Sequence, residues 1–204
     1  MYDMKALYEA TSVENAIELR LEHPEAQIIA GGTDVLVQMR EGKRAGKELI
    51  SIQALDEIRG ICLDENEAIR IGSLTTFSHI THNPIIQKYI NVLGEAVDMV
   101  GGPQIRNAGT IGGNTCNGVT SADSASTLHA WEAIIELTGK NGKRYLPIKD
   151  FYLKAGTVDI NVADGEIQTA IIIPKESYDR TAGFYIKYAM RNAMDIATTG
   201  CSVN

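Results

Sequence analysis

The sequence predicts an α+β fold, and three local patterns lead to that prediction. A capping box at residues 11–14 precedes apolar residues at helical spacing, which predicts a helix over 12–22. An Asn-Pro pair at residues 83–84 predicts the start of another helix, which runs to about Met99. An Asn-Gly pair at residues 141–142 lies between two apolar stretches and predicts a β-hairpin. Helices and hairpins are therefore mixed along the chain.

Short apolar stretches bounded by turn residues predict the strands. These stretches lie at residues 27–30, 48–52, 60–63, 68–72, 133–138, 143–148, 166–173 and 183–190. Apolar spacing and capping residues predict the remaining helical segments. These lie at residues 35–39, 75–81 and 124–131, with a further short helix that begins at Phe151 behind a cap at Asp150.

We expect the predicted elements to form two lobes and a C-terminal segment. The lobes would comprise residues 1–55 and 56–175, and the C-terminal segment would comprise residues 176–204. Residues 197–204 read as the start of a strand, with no later segment to pair with it. We therefore expect the chain to be part of a longer protein.

Composition and charge argue against several classes of function. Hydrophobic residues make up 44% and charged residues 22% of the 204 positions, which is typical of a globular protein. The net charge is −7 without a Lys/Arg cluster, so neither nucleic acid nor an anionic membrane is an expected partner. No apolar run is long enough to span a bilayer, and the N-terminus lacks signal-peptide character. These features favour a cytoplasmic protein.

The cysteine and histidine residues predict no metal site. Cys62, Cys116 and Cys201 are odd in number and widely spaced, so neither a disulfide framework nor an iron–sulfur or zinc site is expected. This pattern fits a reducing compartment. His79 and His82 are three residues apart, but no third ligand lies nearby in the sequence. No catalytic triad is predicted either.

The first of two glycine-rich stretches begins within the predicted strand 27–30, and its Gly-Gly pair directly follows that strand. Its residues are Ile28, Ile29, Ala30, Gly31, Gly32, Thr33, Asp34 and Val35. Because glycine has no Cβ, backbone N–H groups at Gly31 and Gly32 can approach and bind an anion, and the Thr33 hydroxyl adds a donor. A tight turn between strand and helix would explain the Gly-Gly pair equally well. The stretch matches neither a Walker A loop nor a G-x-G-x-x-G fingerprint.

The second glycine-rich stretch is residues 103–114, and it lies within residues 101–123, which contain six glycines. Glycine is costly in helices and in central strands, so we expect a long loop that binds a ligand. Its candidate cofactor-binding residues are Thr110, Ile111, Gly112, Gly113 and Asn114. The two stretches together would hold the two phosphates of a dinucleotide from two sides.

Two polar residues outside the glycine-rich stretches, Asp123 and Lys187, are further candidates for cofactor binding. Asp123 either accepts hydrogen bonds from ribose or ribityl hydroxyls or caps the helix that follows it. On a strand, Lys187 shares one face with Tyr185. A lysine in a partly apolar setting can stabilise a reduced, anionic ring system. The alternative is an exposed lysine that protects an edge strand from pairing.

Both glycine-rich stretches, Asp123 and residues 187–197 resemble the FAD-binding subunit of the molybdenum hydroxylases. That family includes xanthine dehydrogenases, aldehyde oxidoreductases, nicotinate dehydrogenases and aerobic carbon monoxide dehydrogenases. The stretches 102–107, 116–124 and 187–191 are most similar to the flavin subunits of bacterial xanthine dehydrogenases. The resemblance extends in order along the chain, from the first glycine-rich stretch to Ala197.

The resemblance implies the two-lobed α+β FAD-binding fold of the vanillyl-alcohol-oxidase (PCMH) type, without most of its C-terminal domain. FAD would be bound non-covalently. Residues 28–35 and 110–114 would bind its pyrophosphate, and Asp123 would contact its sugar chain. A backbone contact near Ile167 and the Lys187 side chain would flank the isoalloxazine.

The resemblance also implies an electron-transfer function. Substrate would be hydroxylated at a molybdenum cofactor on a large partner subunit. Electrons would cross two 2Fe–2S clusters on a small partner, reach FAD on this chain, and leave as hydride to NAD⁺ or another acceptor. No residue of this chain would be catalytic in the hydroxylation. Two other functions fit the residues: a free-standing flavin-dependent oxidoreductase of the related fold, and a non-redox nucleotide-binding module.

Overall fold

The computed structural model describes residues 3–204, in which short helices and short strands alternate. The strands are β1 (Met4–Glu9), β2 (Gln27–Ile29), β3 (Lys47–Ser51), β4 (Ile61–Leu63), β5 (Ile69–Gly72), β6 (Ile134–Gly139), β7 (Gly142–Pro147), β8 (Tyr152–Lys154), β9 (Thr157–Val158), β10 (Ile167–Ile173), β11 (Phe184–Tyr188) and β12 (Thr199–Val203). The helices are α1 (Val13–Glu22), α2 (Val35–Arg40), α3 (Phe77–His82), α4 (Pro84–Tyr89), α5 (Asn91–Asp98), α6 (Pro103–Ala108), α7 (Ile111–Asn117), α8 (Asp123–Ala130), α9 (Ile148–Phe151) and α10 (Lys175–Tyr178). Two single 3-10 turns lie at Asp56–Ile58 and Val162–Asp164. Within residues 3–204, no helix has the length and apolarity needed to cross a bilayer.

A parallel three-stranded sheet positions the first glycine-rich stretch. Its central strand, β3, pairs with β1 on one side and with β2 on the other, and β2 leads directly into the stretch. The helix α1 was predicted from a cap at Thr11, but the residue that caps it is Ser12, whose Oγ accepts from the Asn15 N–H at 3.1 Å. Its Ala16 and Ile17 are buried. The strand β1 was not expected from the sequence; it lies at the edge of this sheet, paired with β3.

An antiparallel five-stranded sheet forms the second layer, in the order β4-β5-β10-β6-β7. The predicted hairpins β4–β5 and β6–β7 are confirmed. In the second hairpin, Gly142 has a φ of +99°, which glycine adopts without strain. Helices α3, α5 and α8 cover this sheet, and the largest buried cluster lies between them. Leu93, Leu128, Leu137 and Ile171 are among its fully buried members.

The prediction of a long loop over residues 101–123 is wrong, because most of that segment forms α6 and α7. Pro103 stands at the start of α6, where its missing N–H costs nothing. Thr110 caps α7 by accepting from the Gly113 N–H at 3.2 Å. Gly118 ends α7 with a φ of +64°. These start and stop residues outweigh the low helix propensity of the glycines between them.

Three other predicted elements differ from the structure. The single helix expected over residues 83–99 is two helices, α4 and α5, which are separated at Ile90 by a non-helical φ of −142° and ψ of 49°. The short helix expected to begin at Phe151 ends there instead, so Asp150 lies within α9 and does not cap it. The strand β12 has a partner, since it pairs antiparallel with β11.

Candidate functional site

A cleft of about 690 Å³ is lined by most of the residues of both glycine-rich stretches. The lining residues from the predicted set are Ile28, Ala30, Gly31, Gly32, Thr33, Asp34, Val35, Thr110, Gly112, Gly113, Asn114 and Ile167. Ile29 and Ile111 are buried in the protein core instead. A smaller hollow of about 390 Å³ lies against the first sheet, and its wall is mainly apolar. The polar cleft is therefore the candidate site.

The first glycine-rich stretch presents unpaired backbone donors to the cleft. Among residues 3–204, no backbone or side-chain acceptor takes a hydrogen bond from the five consecutive N–H groups of Gly31 to Val35. Gly32 has a φ of +71°, which turns the chain from β2 toward α2. All five residues line the cleft. A run of N–H groups in such a turn is a typical binding site for an anion.

The second glycine-rich stretch contributes to the cleft in a different way. The Ile111 N–H donates to Thr75 O at 3.0 Å, and the Gly112 N–H donates to Ser73 O at 2.9 Å. The Gly113 N–H is paired with its cap at Thr110. These N–H groups are thus not free donors, and the expectation that they bind a phosphate directly is not met by their pairing. The stretch instead places Gly112 and Gly113 on one wall of the cleft.

The two stretches touch each other through backbone atoms. A Cβ at Gly31 would lie only 1.7 Å from Ala108 O, so this position accepts no side chain. A Cβ at Gly112 would lie 2.5 Å from Ser73 Cβ. At Gly113, in contrast, the only atom within 4 Å of an added Cβ is Thr110 Oγ1, at 3.0 Å. Gly31 and Gly112 therefore permit close packing against the backbone or Cβ of another segment, whereas a side chain at Gly113 would press only on the Thr110 hydroxyl.

Asp123 and Lys187 lie together, outside the lining of the cleft. Lys187 Nζ donates to Asp123 Oδ2 at 2.9 Å and to Met99 O at 3.0 Å. The Tyr185 hydroxyl donates to Asp123 Oδ1 at 2.7 Å. Burial raises the pKa of Tyr185, and the hydrogen bond to Asp123 raises it further. Asp123 does not cap α8, whose cap position is Ala122.

The face predicted for Lys187 is confirmed. Tyr185 and Lys187 lie on the side of β11 that faces the protein, whereas Phe184, Ile186 and Tyr188 are exposed. The Lys187 side chain is only 9% exposed. The alternative of an exposed lysine guarding an edge strand is therefore wrong.

Sequence reasoning missed three polar residues of the cleft. Arg20, Ser73 and Gln168 all line it, and each has a buried polar atom without a partner among the described residues: Arg20 Nε, Ser73 Oγ and Gln168 Nε2. No sequence signal marks Arg20 or Gln168. Arg20 is one of several polar residues of α1, and Gln168 lies with Thr169 in a mainly apolar strand. Arg44 adds a second positive charge to the cleft wall. The site therefore combines free donors with two cations.

The described residues include no cluster suited to a metal ion. Across residues 3–204, three or more His, Cys, Asp or Glu side chains are nowhere grouped as metal ligands would be. The three cysteines are unpaired, with Cys62 and Cys201 exposed and Cys116 half-buried. The chemistry of the cleft thus rests on N–H groups, arginines and an amide.

Comparison with known proteins identifies the family. The family described as "FAD binding domain in molybdopterin dehydrogenase" matches residues 2–176. The xanthine dehydrogenase FAD-binding subunit of Escherichia coli O157:H7 is 39% identical over 204 residues, which is 100% of this chain and 69% of that protein. The nicotinate dehydrogenase FAD-subunit of Eubacterium barkeri is 34% identical over 174 residues, which is 85% of this chain and 58% of that protein.

Solved structures agree with this family and confirm the predicted fold class. A carbon monoxide dehydrogenase chain from Hydrogenophaga pseudoflava superposes with a TM-score of 0.91 at 28% identity, over 99% of this chain and 69% of that chain. A Cu,Mo-CO dehydrogenase chain gives the same TM-score at 26% identity and the same coverage. The chain therefore belongs to the FAD-binding domain family of the molybdopterin dehydrogenases, and it is a subunit of an oxidoreductase.

Proposed function

We propose that the chain binds FAD non-covalently in the cleft and transfers electrons as the FAD-binding subunit of a xanthine dehydrogenase-like molybdenum hydroxylase. The observation that carries this proposal is the run of five backbone N–H groups from Gly31 to Val35, which have no acceptor within residues 3–204. Such a run suits the two phosphates of a dinucleotide. The name of the E. coli relative, a xanthine dehydrogenase FAD-binding subunit, supports FAD as the cofactor and xanthine as the substrate of the assembly.

The cleft fits a dinucleotide in charge as well as in shape. Arg20 and Arg44 offset the negative charge of a diphosphate, and both line the same cavity as the free N–H groups. Apolar residues such as Val158, Ile160 and Ile167 provide contact surface for a flat ring. A volume of about 690 Å³ lies within the range of small-molecule sites.

We assign the predicted residues to parts of FAD as follows. Residues 28–35 bind the pyrophosphate, and residues 110–114 form the facing wall. Asp123 contacts the sugar chain, and Ile167 and Lys187 flank the isoalloxazine. In support of the last assignment, Lys187 Nζ bonds to Met99 O, and the next residue, Val100, lines the cleft.

Bound FAD would accept electrons and pass them on, and the residues of this chain would bind and orient it. We infer that the electrons come from 2Fe–2S clusters on a small partner subunit. Hydroxylation would occur at a molybdenum cofactor on a large partner subunit, and NAD⁺ or another acceptor would receive the electrons. The names of the relatives, which include carbon monoxide dehydrogenase medium chains, support a multi-subunit assembly. We propose the cytoplasm as its location.

A flavin-retention experiment tests the proposal. The purified chain is mixed with FAD, excess FAD is removed by gel filtration, and the visible absorption spectrum gives flavin per chain. We expect close to one FAD per wild-type chain and none for Gly113→Leu, because Gly113 lines the cleft and a larger side chain would extend into it. The ligand-free melting temperature of this variant is measured as well, because its Cβ would lie 3.0 Å from the capping hydroxyl of Thr110, and only a folded variant tests the site.

Either of two results would contradict FAD binding in this cleft. A wild-type chain that leaves the column colourless would refute FAD binding itself. A folded Gly113→Leu chain that keeps stoichiometric FAD would place the cofactor elsewhere. Co-expression with the molybdenum and iron–sulfur subunits then separates an electron relay from a free-standing oxidoreductase, since only the relay co-purifies with both partners.

A further inference from the structure

One wall of the cleft is formed by a segment with little regular structure. This wall segment, residues 156–162, follows β8 and contains the two-residue strand β9. Its lining residues are Gly156, Thr157, Val158, Ile160 and Val162. A segment with few backbone hydrogen bonds of its own needs other contacts to keep one conformation. In this protein those contacts come from residues that do not line the cleft.

The two residues of the wall segment that do not line the cleft, Asp159 and Asn161, are bound by one arginine–glutamate pair. Arg144, on β7, donates to Asp159 Oδ2 at 3.0 Å and to Asp159 O at 3.1 Å. It also donates to both carboxylate oxygens of Glu166, at 2.8 and 2.9 Å. Glu166 in turn accepts from the Asn161 N–H at 2.7 Å. The pair therefore fixes the backbone on both sides of the lining residue Ile160.

The contacts of Arg144 depend on the planar shape of its guanidinium. Its Nε and Nη2 meet the two oxygens of Glu166, while Nη1 and Nη2 meet Asp159. A forked contact of this kind holds both partners in one orientation, which the single ammonium of a lysine does not. The Glu166 side chain is only 9% exposed, so water competes little for its oxygens. Neither Arg144 nor Glu166 lines the cleft.

The other end of the wall segment rests on α7. The Gly156 N–H donates to Gly118 O at 2.8 Å. A Cβ at Gly118 would lie 3.2 Å from Gly156 Cα, so the two backbones lie against each other. Gly118 is the residue that ends α7. The wall segment is thus held at two places, by α7 at Gly156 and by the arginine–glutamate pair around Ile160.

We propose that Arg144 and Glu166 are positioning residues of the flavin site, which hold the wall segment in place against the bound cofactor without contacting it. This inference rests on the proposed function, since it takes the ligand of the cleft to be FAD, but it requires no particular orientation of FAD. When the pair is broken, the wall segment loses its fixed position. A ligand must then order the segment as it binds, which lowers the affinity.

Flavin fluorescence tests the proposal by giving the dissociation constant of FAD for the purified chain and its variants, at a temperature where each is folded. We expect Arg144→Met and Glu166→Met each to weaken FAD binding about tenfold. The two substitutions change the net charge in opposite directions, so a purely electrostatic effect on the anionic cofactor would weaken binding in one and strengthen it in the other. Arg144→Lys keeps the charge without the forked contact and should recover only part of the affinity.

Arg70→Met is the matched control. Arg70 and Glu136 form another arginine–glutamate pair with two hydrogen bonds on the same sheet, at 2.8 and 3.1 Å. Neither residue lines the cleft or contacts the wall segment. Arg70→Met should therefore lower the free energy of unfolding, because Glu136 is buried, and leave the dissociation constant of FAD unchanged.

Hydrogen–deuterium exchange without ligand tests the positioning itself. Peptides that cover residues 156–162 should exchange faster in Arg144→Met than in the wild type or in Arg70→Met, and Arg144→Lys takes the place of a methionine variant that does not fold. Unchanged exchange there overturns the inference, as do wild-type FAD affinity in both methionine variants, opposite changes in the two, or an equal loss in Arg70→Met. A wild-type chain that binds no FAD would overturn the proposed function instead, and the ligand-free exchange distinguishes that failure from this one.

Discussion

Lys187 Nζ lies 2.9 Å from Asp123 Oδ2, so a strand near the C-terminal end is joined by an ion pair to the first turn of α8. The two side chains are 9% and 7% exposed. Tyr185 and Met99 complete the hydrogen bonds around the pair. Because this pair is buried, removing one partner leaves an uncompensated charge inside the protein.

We therefore predict that Lys187→Met destabilises the chain by about 3 kcal/mol through the unpaired Asp123 carboxylate. Urea unfolding measures this change. The double variant Lys187→Met with Asp123→Asn should recover much of the loss, because no buried charge then remains. Equal stability of the single variant and the wild type would show that the ion pair does not form in solution.

Gly31 should tolerate no side chain, because an added Cβ would lie 1.7 Å from Ala108 O. We expect Gly31→Ala to cost about 2 kcal/mol or more in unfolding free energy, as for an overpacked core. Gly113→Ala is the matched control and should cost less, since its Cβ would lie 3.0 Å from the Thr110 hydroxyl and not 1.7 Å from a backbone oxygen, and alanine favours the helix. A thermal melt of Gly31→Ala that matches the wild type would contradict the close contact between the two glycine-rich stretches.

Glu136 should make stability depend on acidic pH. Burial tends to raise its pKa, but hydrogen bonds from Arg70 and Thr169 outweigh burial, and the folded-state pKa lies below the usual value. The lowered pKa stabilises the fold at pH values above the unfolded pKa of about 4.3, and this contribution is lost as the pH falls through the folded pKa. Glu136→Gln should therefore be less stable at pH 7 and show a flatter loss of stability below pH 4 in urea unfolding. Parallel pH profiles for the two proteins would refute this.

The three cysteines should differ in their reaction with iodoacetamide. Cys62 and Cys201 are exposed, whereas burial raises the pKa of Cys116 to about 12. Alkylation requires the thiolate, so at pH 8 we expect two rapid additions and a slow third one. Mass spectrometry of the intact chain and of its peptides counts and locates the modified residues. Rapid alkylation of Cys116 would show that this part of the cleft is open to solvent.

The sequence predicted the elements whose signals are local. The turn at Asn141-Gly142 and the first helix behind its cap were found because each depends on a few adjacent residues. The helices α6 and α7 were missed because glycine was taken as a sign of a loop. In the structure Gly112 serves close packing on Ser73, and the start and stop signals at Pro103, Thr110 and Gly118 decide the conformation.

The candidate site was predictable only in part for the same physical reason. The Gly-Gly pair of the first stretch signals a turn with free N–H groups, and the structure has that turn. Arg20 and Gln168 lie on regular elements far from both stretches in the sequence, and tertiary packing alone brings them to the cleft. Lys187 and Asp123 were both selected from the sequence, but their ion pair follows from the way β11 packs beside α8.

Hydrogen–deuterium exchange of the backbone amides, with and without FAD, tests the central claim most directly. The N–H groups of Gly31 to Val35 have no acceptor among the described residues, whereas those of Ile111 and Gly112 are bonded to Thr75 O and Ser73 O. We predict fast exchange of the first group without FAD and clear protection with FAD, while the second group is protected in both states. Saturating FAD that leaves the amides of Gly31 to Val35 exchanging as fast as before would contradict the account.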